Sequence, residues 1–377
     1  MLIVADENIT QVREYFAPYG EVVTVPGRSI TAKQVRDCDA LLVRSVTHIE
    51  PQLLMGSRCR FVATATSGVD HIETEALAKA GIALGWARGC NAVSVVDYVF
   101  SVLAIESKAC SEDWRGWSVG IIGCGEIGYR LAQRLLQLGI AVKVYDPLLP
   151  LTHPLAACFA TLDDVLEQRV ITLHVPLTRE GPHPTWHMLG RSELDRIPAG
   201  SLLINAARGS AIDNAQLLQW LKQRPQQRVV LDTWESEPAI SLELLQRVTM
   251  GTPHIAGYSH EGKLTGTHMI LQQFCEYFSF AAPPELSGKT ELLSVPASGG
   301  MLEQLNSLIL AAHDVRNDHA AMQSLVTSNT PAADFDELRK HYPLRHQCNH
   351  YRVDSAQLSI DLRAAISVLG FRIIAQS

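Results

Sequence analysis

No stretch of this 377-residue chain is apolar enough for long enough to span a bilayer. Met1 runs straight into the strand-like Leu2-Ile3-Val4-Ala5, with no charged segment leading into an apolar core as a secretory leader would have. Neither a membrane span nor export is expected, and the cytoplasm is. Positive charge is also short: 32 Lys and Arg stand against 39 Asp and Glu, a net charge of −7. That argues against a nucleic-acid-binding surface. The eight cysteines form no CxxC pair and no metal-ligand spacing, so neither a disulfide framework nor a metal centre is expected; they read as reduced thiols, mostly small core residues. Low-complexity tracts and short internal repeats are missing too, which removes solenoid architectures. What remains is ample apolar content, 47% of residues, over a length that calls for two or three domains.

The most informative stretch is Ser118 to Asp146, SVGIIGCGEIGYRLAQRLLQLGIAVKVYD. Val119 to Ile122 reads as a buried strand. Gly123, Gly125 and Gly128 follow, then an amphipathic helix pattern (Leu131, Leu135, Leu136, Leu138), Gly139, a second strand from Ala141 to Tyr145, and Asp146. This is the order of a dinucleotide-binding βαβ unit. The glycines permit the tight turn, the approach of a pyrophosphate and close helix–strand packing. The amides of Glu126 and Ile127, at the helix N-terminus, would face the anion. A carboxylate at Asp146 accepts hydrogen bonds from both ribose hydroxyls and repels a 2′-phosphate, which favours NAD over NADP.

Ahead of this unit, short apolar runs (Leu2–Ala5, Ala40–Val43, Phe61–Ala65, Ile82–Leu84) alternate with helix-like segments (Glu7–Phe16, Thr31–Arg36, Glu75–Lys79). Such alternation implies a parallel sheet with helices on both faces, whose ligands bind beyond the carboxyl ends of the strands. Arg44-Ser45-Val46-Thr47 and Thr66-Ser67-Gly68-Val69-Asp70 sit at two such ends and can cradle a small anion. Asn91–Lys108 reads as a buried connecting helix. Behind the glycine unit come strands at Val170–Val175, Ser201–Asn205 and Val229–Asp232, giving a five- or six-stranded doubly wound sheet that ends near His254. A helix over 256–280 can pack back on the first sheet, and 281–288 has the composition of a linker. Beyond it lie a helix at Gly300–Asn317 and a final strand–helix–strand pattern. The expected fold is α/β: a Rossmann-type doubly wound NAD-binding domain (93–255), a flavodoxin-like substrate or lid domain (1–92 plus 256–280) and a C-terminal α+β dimerisation domain (281–377).

Arg208, Glu237 and His254 each follow a later strand of the second sheet, so they can converge despite their separation in sequence. The three residue types suit oxidation of an alcohol beside a carboxylate. An arginine fork grips the carboxylate, a histidine takes the hydroxyl proton, and a glutamate orients that ring and stabilises its charged form. Each has a plainer alternative, as a structural histidine, a helix cap or a turn residue.

The ordered motifs GCGEIG, Asp146, LHVPLT (173–178), INAARG (204–209), DTWESEP (232–238) and TPHIAG (252–257) resemble the D-isomer-specific 2-hydroxyacid dehydrogenases over roughly the first 280 residues. The resemblance implies catalytic roles for Arg208, Glu237 and His254. It also implies an NAD site lined by Val175, Ala206, Asp232 and Gly257, with Asp232 near the nicotinamide carboxamide. RSVT (44–47), TATSGVDHI (64–72), GCNA (89–92), HIAGYSHEGK (254–263) and FDELRKHYPLR (335–345) are similar to one branch of that family. Its members oxidise the C2 hydroxyl of 4-phospho-D-erythronate to (R)-3-hydroxy-2-oxo-4-phosphobutanoate in vitamin B6 synthesis. That similarity implies substrate contacts from Ser45, Thr66 and Tyr258 and a homodimer formed through the C-terminal domain. Arg345 is followed by His346 rather than by a second arginine, so Arg44 is the better candidate for the 4-phosphate. The competing expectations are another D-2-hydroxyacid or 3-phosphoglycerate dehydrogenase, and a NAD-sensing corepressor-like protein. A sensor would not need the intact Arg–Glu–His set.

Overall fold

The computed structural model describes residues 1–374 except 287, 297, 298 and 357. The chain forms two compact units, Met1–Asn91 with Tyr258–Lys289, and Ala92–Gly257 with Thr290–Ser377. The sequence reading sets off 281–377 as a third domain, whereas most of that segment falls in the same unit as the glycine motif. Among the described residues no helix is long and apolar enough to cross a membrane.

The first unit is built on five parallel strands: β1 (Leu2–Asp6), β2 (Glu21–Val25), β3 (Ala40–Val43), β4 (Phe61–Thr64) and β5 (Ala83–Trp86). Their order, β2-β1-β3-β4-β5, is that of flavodoxin-like sheets. β3 and β4 are buried at every position because helices cover both faces, so they read as unbroken apolar runs. β2 lies at the edge with alternating exposure, and its sequence EVVTV lacks that signature. The expected helix over Glu7–Phe16 is only Val12–Phe16; Asp6 accepts from the Asn8 amide, and Gln11 adopts a positive φ of 54°. These two features hold residues 7–11 as a loop. The helix His260–Tyr277 returns from the far end of the chain and places Phe274 in the core. Phe274 meets Phe16 at 5.3 Å, Phe61 at 5.9 Å and Phe278 at 4.8 Å between ring centroids.

The second unit holds β6 (Val119–Ile122), β7 (Val142–Tyr145), β8 (Val170–Leu173), β9 (Leu202–Asn205), β10 (Arg228–Leu231) and β11 (Met250–Gly251). They form one parallel sheet in the order β11-β10-β9-β8-β6-β7. A single parallel bridge, Val144 to Phe159, adds a rudimentary strand outside β7. Counting it, the order becomes the 3-2-1-4-5-6 of dinucleotide-binding sheets with one strand more, and the reversal falls between β6 and β8. The helix Glu126–Gln137 buries Gly128, Leu131, Ala132 and Leu135, one face at helical spacing. Gly139 ends it at φ 76°, and the Ile140 amide reaches back to the Leu135 carbonyl at 2.9 Å. In the C-terminal part, β12 (Glu291–Leu293), β13 (Tyr351–Asp354) and β14 (Arg372–Ile374) make a small parallel sheet in that order. The helix expected over Gly300–Asn317 is two helices, Met301–Ala312 and Val315–Gln323. They are parted at the extended residue His313, whose ring bonds to Asp318 instead of facing solvent.

Candidate active site

At the switch point the glycines act at different atoms. Gly123 has φ 88°, and a Cβ there would strike the His174 carbonyl and the Val175 side chain. A Cβ on Gly128 would stand 2.0 Å from the Gly123 carbonyl oxygen, so only glycine lets the helix start this close to β6. Over Gly125 nothing lies within 4 Å, which leaves the loop open to an approaching group. Gly125 is also the N-cap and has no side chain to satisfy the first-turn amides, among them those of Glu126 and Ile127. Asp146 closes the cradle: one carboxylate oxygen accepts from the Cys124 amide at 2.8 Å and the other from the Leu148 amide at 3.2 Å. A carboxylate offers about four acceptor positions, so capacity remains for ribose hydroxyls. Open backbone, uncapped amides and an acid beside them fit a dinucleotide pyrophosphate and its ribose. Val175 and Ala206 line the ends of β8 and β9 and are nearly buried, whereas Gly257 is partly exposed.

The later loops of this sheet are locked to one another. Asn205, at the end of β9, accepts from the Ala207 amide at 3.1 Å and donates to the Arg208 carbonyl at 3.0 Å, which fixes the turn that presents Arg208. A Cβ on Gly209 would lie 1.9 Å from the Trp234 carbonyl carbon, so the arginine loop rests directly on the backbone that leads to Glu237. Glu237 accepts from the Trp234 amide through Oε1 at 2.7 Å and meets His254 Nδ1 through Oε2 at 2.7 Å. Burial alone would push the Glu237 carboxyl upward, but the charge of His254, its hydrogen bond, the Trp234 amide and Arg339 together hold it below the usual carboxylate range. An ionised Glu237 is an acceptor only, so Nδ1 carries the proton and Nε2 is the open end of the ring. The His254 ring is about a third exposed.

His254 itself has φ 57°, a left-handed conformation that its surroundings must enforce. Asp232 contributes most visibly. Its Oδ1 accepts from the Ile255 amide and the Thr252 hydroxyl, both at 2.7 Å, and its Oδ2 accepts from the Ala256 amide at 3.0 Å. Asp232 is 1% exposed, and that burial raises its carboxyl above the ordinary value against the pull of His254 and these donors. The geometry gives Asp232 a place in fastening the histidine loop, which the sequence reading did not foresee.

In the first unit, the Arg44 carbonyl accepts from the Thr47 amide at 3.1 Å and the Thr47 hydroxyl donates to Gly27 at 2.9 Å. This turn leaves Ser45 exposed. The Thr66 hydroxyl is tied to Thr64 at 2.7 Å and to the Gly68 carbonyl at 3.2 Å. Lys263, which sequence reasoning missed, stands 5.0 Å over the Tyr258 ring. Its amine lies below the usual lysine range although the side chain remains open to solvent. Crowding by protein atoms is the larger cause and the nearby Arg44 charge the second. Arg44 and Lys263 thus share one positive field, with the Tyr258 ring beneath the Lys263 amine. The advance signal for Lys263 was its place at the end of the motif HIAGYSHEGK (254–263).

Arg345 is not such a cation. It is 6% exposed, and both terminal nitrogens of its guanidinium are bonded to backbone carbonyls, of Ser94, Ile255 and Ala256. Sequence shows a charge; it does not show that the charge is buried.

Residues 100–256 match the family described as D-isomer specific 2-hydroxyacid dehydrogenase, NAD binding domain, and residues 290–370 match a domain of unknown function (DUF3410). An erythronate-4-phosphate dehydrogenase of Cellvibrio japonicus is 43% identical across 99% of this chain and 100% of its own length. The enzymes of that name from Marinobacter nauticus (43% identical; 99% of this chain, 100% of its own) and Proteus mirabilis (41%; 94% of each) are similar in the same way. Among solved structures, NAD+-bound 3-phosphoglycerate dehydrogenase of Entamoeba histolytica superposes with a TM-score of 0.63 at 24% identity, covering 74% of this chain and 95% of that one. D-lactate dehydrogenase of Aquifex aeolicus, complexed with NAD and lactic acid, gives 0.61 at 22%, covering 74% and 96%. The likeness to these two solved chains is one of fold.

Proposed function

Because this chain belongs to the erythronate-4-phosphate dehydrogenase family, we propose that it oxidises the C2 hydroxyl of 4-phospho-D-erythronate to (R)-3-hydroxy-2-oxo-4-phosphobutanoate, with His254, Glu237 and Arg208 as its catalytic residues. Bound NAD supplies the acceptor for the hydride that leaves C2. The observation that carries the assignment is the 2.7 Å contact between His254 Nδ1 and Glu237 Oε2, with the other Glu237 oxygen held by a backbone amide. It points Nε2 outward as a proton acceptor. As the C2–H pair departs, the hydroxyl proton passes to Nε2, C2=O forms, and ionised Glu237 stabilises the imidazolium. Arg208 holds the substrate carboxylate through its planar fork.

NAD is held by the loop of Gly123, Gly125 and Gly128, by the amides of Glu126 and Ile127, and by Asp146, with Val175, Ala206, Asp232 and Gly257 along the strand ends. Arg44, Ser45, Thr66 and Tyr258 recognise the substrate. Arg44 takes the 4-phosphate, and Lys263 joins it because the two cations share one field and neither is paired with an acid among the described residues. The first unit serves as a lid, and the C-terminal segment mediates homodimerisation in a cytoplasmic enzyme of vitamin B6 synthesis. The test is a substrate panel followed by NADH formation, with a 2-oxo acid present to reoxidise the cofactor. kcat/KM should be highest for 4-phospho-D-erythronate; equal or better values for D-erythronate or 3-phospho-D-glycerate would overturn the substrate assignment.

A further inference from the structure

The His254 loop is gripped from both of its polar sides. Asp232 accepts the amides of Ile255 and Ala256, and the carbonyls of the same two residues face Arg345, whose Nη1 donates to Ile255 at 3.3 Å and to Ala256 at 3.1 Å. Its Nη2 donates to the Ser94 carbonyl at 2.6 Å, so one planar group joins the loop to the start of the long helix Ala92–Cys110. The residues after Arg345 are anchored on that same helix. The Gln347 amide donates to the Ser94 hydroxyl at 3.0 Å, and the Cys348 backbone N–H donates to Asp97 at 2.9 Å. Asp97 is itself held by Arg134 at 3.0 Å. Nearby, Asp318 accepts from His313 at 2.8 Å and from the Tyr342 hydroxyl at 3.3 Å. The field of Arg345 reaches Asp318, Tyr342 and His313 alike.

We propose that Arg345, carried by the C-terminal segment, is a positioning residue for the reaction: by clamping the Ile255 and Ala256 carbonyls against the amide clamp of Asp232, it holds His254 in the strained conformation that meets Glu237. The inference rests on the assignment of His254 as the proton acceptor. Its physical basis is that a left-handed histidine persists only where the flanking peptides are over-determined. A buried guanidinium reaches two segments at once with charge-assisted bonds, which a point-like ammonium cannot reproduce. The C-terminal segment then serves the chemistry within its own chain, whatever it does between chains.

The experiment is a double-mutant cycle in the full-length enzyme, with Arg345→Ala, Arg345→Lys, His254→Asn and the combined His254→Asn/Arg345→Ala. Arg345→Ala should lower kcat by about 10²-fold, the scale of a small misplacement of a catalytic group, at a temperature where its melting curve shows it folded. Amide exchange should quicken at Ile255 and Ala256, and millimolar guanidinium should restore part of the rate. Arg345→Lys should lose about tenfold, which keeps the question open to measurement if the alanine variant does not fold. In the His254→Asn background, removing Arg345 should cost nothing further, because it acts through the histidine. A full additional loss in that background, or normal kcat in a folded Arg345 variant, overturns the role of Arg345. If His254→Asn itself turns over normally, the assignment of the proton acceptor is what fails.

Discussion

At the carboxyl ends of β9 and β10 almost every polar side chain is already bound to a neighbour: Asn205 to its own turn, Asp232 to three donors of the 252–256 loop, and Glu237 to the Trp234 amide and to His254. At the carboxyl end of β3 and in the helix after Tyr258, Arg44 and Lys263 carry charges that no acid neutralises among the described residues. Both sheets are parallel, and both present their loops at the same end of the strands. The difference is one of pre-organisation. In the proposed assignment, the groups that move a proton are held in place before substrate arrives, so no reorganisation is needed during the reaction. The groups proposed to recognise the substrate anion keep their charge uncompensated, and in that assignment the anion supplies the missing partner.

This contrast breaks most sharply at the histidine. His254→Ala should lower kcat by about 10²–10⁴-fold, the usual worth of a positioned proton acceptor, with little change in KM; steady-state kinetics reading near-normal turnover would remove it from the chemistry. On the recognition side, Arg44→Ala should act on KM and leave kcat nearly intact. Losing a charge-assisted contact worth about 1.5–3 kcal/mol corresponds to roughly 10- to 100-fold. The rise should appear with the phosphorylated substrate and not with D-erythronate, and an equal rise for both would refute a phosphate contact. Glu237→Gln keeps the shape and removes the charge. The acidic limb of the kcat/KM profile should therefore move to lower pH, since the imidazolium loses its partner, and an unmoved limb would make Glu237 a purely structural residue. Asp146→Ala should relax the preference for NAD over NADP; retained discrimination would mean that another group reads the ribose.

The smallest effect concerns stability. Burial pushes His174, at the end of β8, down to about 3. A histidine that stays neutral when folded and has an ordinary pKa of about 6.5 when unfolded destabilises the fold as pH drops below that value. The loss reaches about 2 kcal/mol at pH 5. Comparing His174→Gln with the parent chain by urea unfolding at pH 7.5 and pH 5 should show a flatter dependence in the variant. Identical slopes would mean that the ring is protonated in the native state.

Apart from the two-residue β11, the parallel strands buried on both faces could be read from sequence to within a residue or two, since helices on each side require continuous apolar runs and leave no polar positions to blur the ends. Edge strand β2 escaped because one of its sides faces water. The glycine loop was equally plain, its sterics being backbone sterics that only glycine meets. The place of Arg345 is hidden for the opposite reason, although its neighbour His346 already makes Arg44 the better phosphate candidate. A charged residue advertises an ionic partner in sequence, while a guanidinium whose terminal nitrogens bond three carbonyls looks the same. Asp232 illustrates the same gap, since what it holds depends on the chain path at 252–256 and not on neighbours in sequence.

The first unit is assembled from two stretches that lie far apart, with Phe274 of the later stretch at the centre of its aromatic core. On a ribosome this order of synthesis matters. When residue 91 emerges, the five-stranded sheet has all its strands but no helix His260–Tyr277, and the apolar face around Phe16 and Phe61 stays uncovered through the next 166 residues. The six-stranded sheet is translated in that interval and can form first. Nascent chains stalled near residue 257 should therefore be the aggregation-prone species, and the first unit closes only once the chain has grown past Phe274.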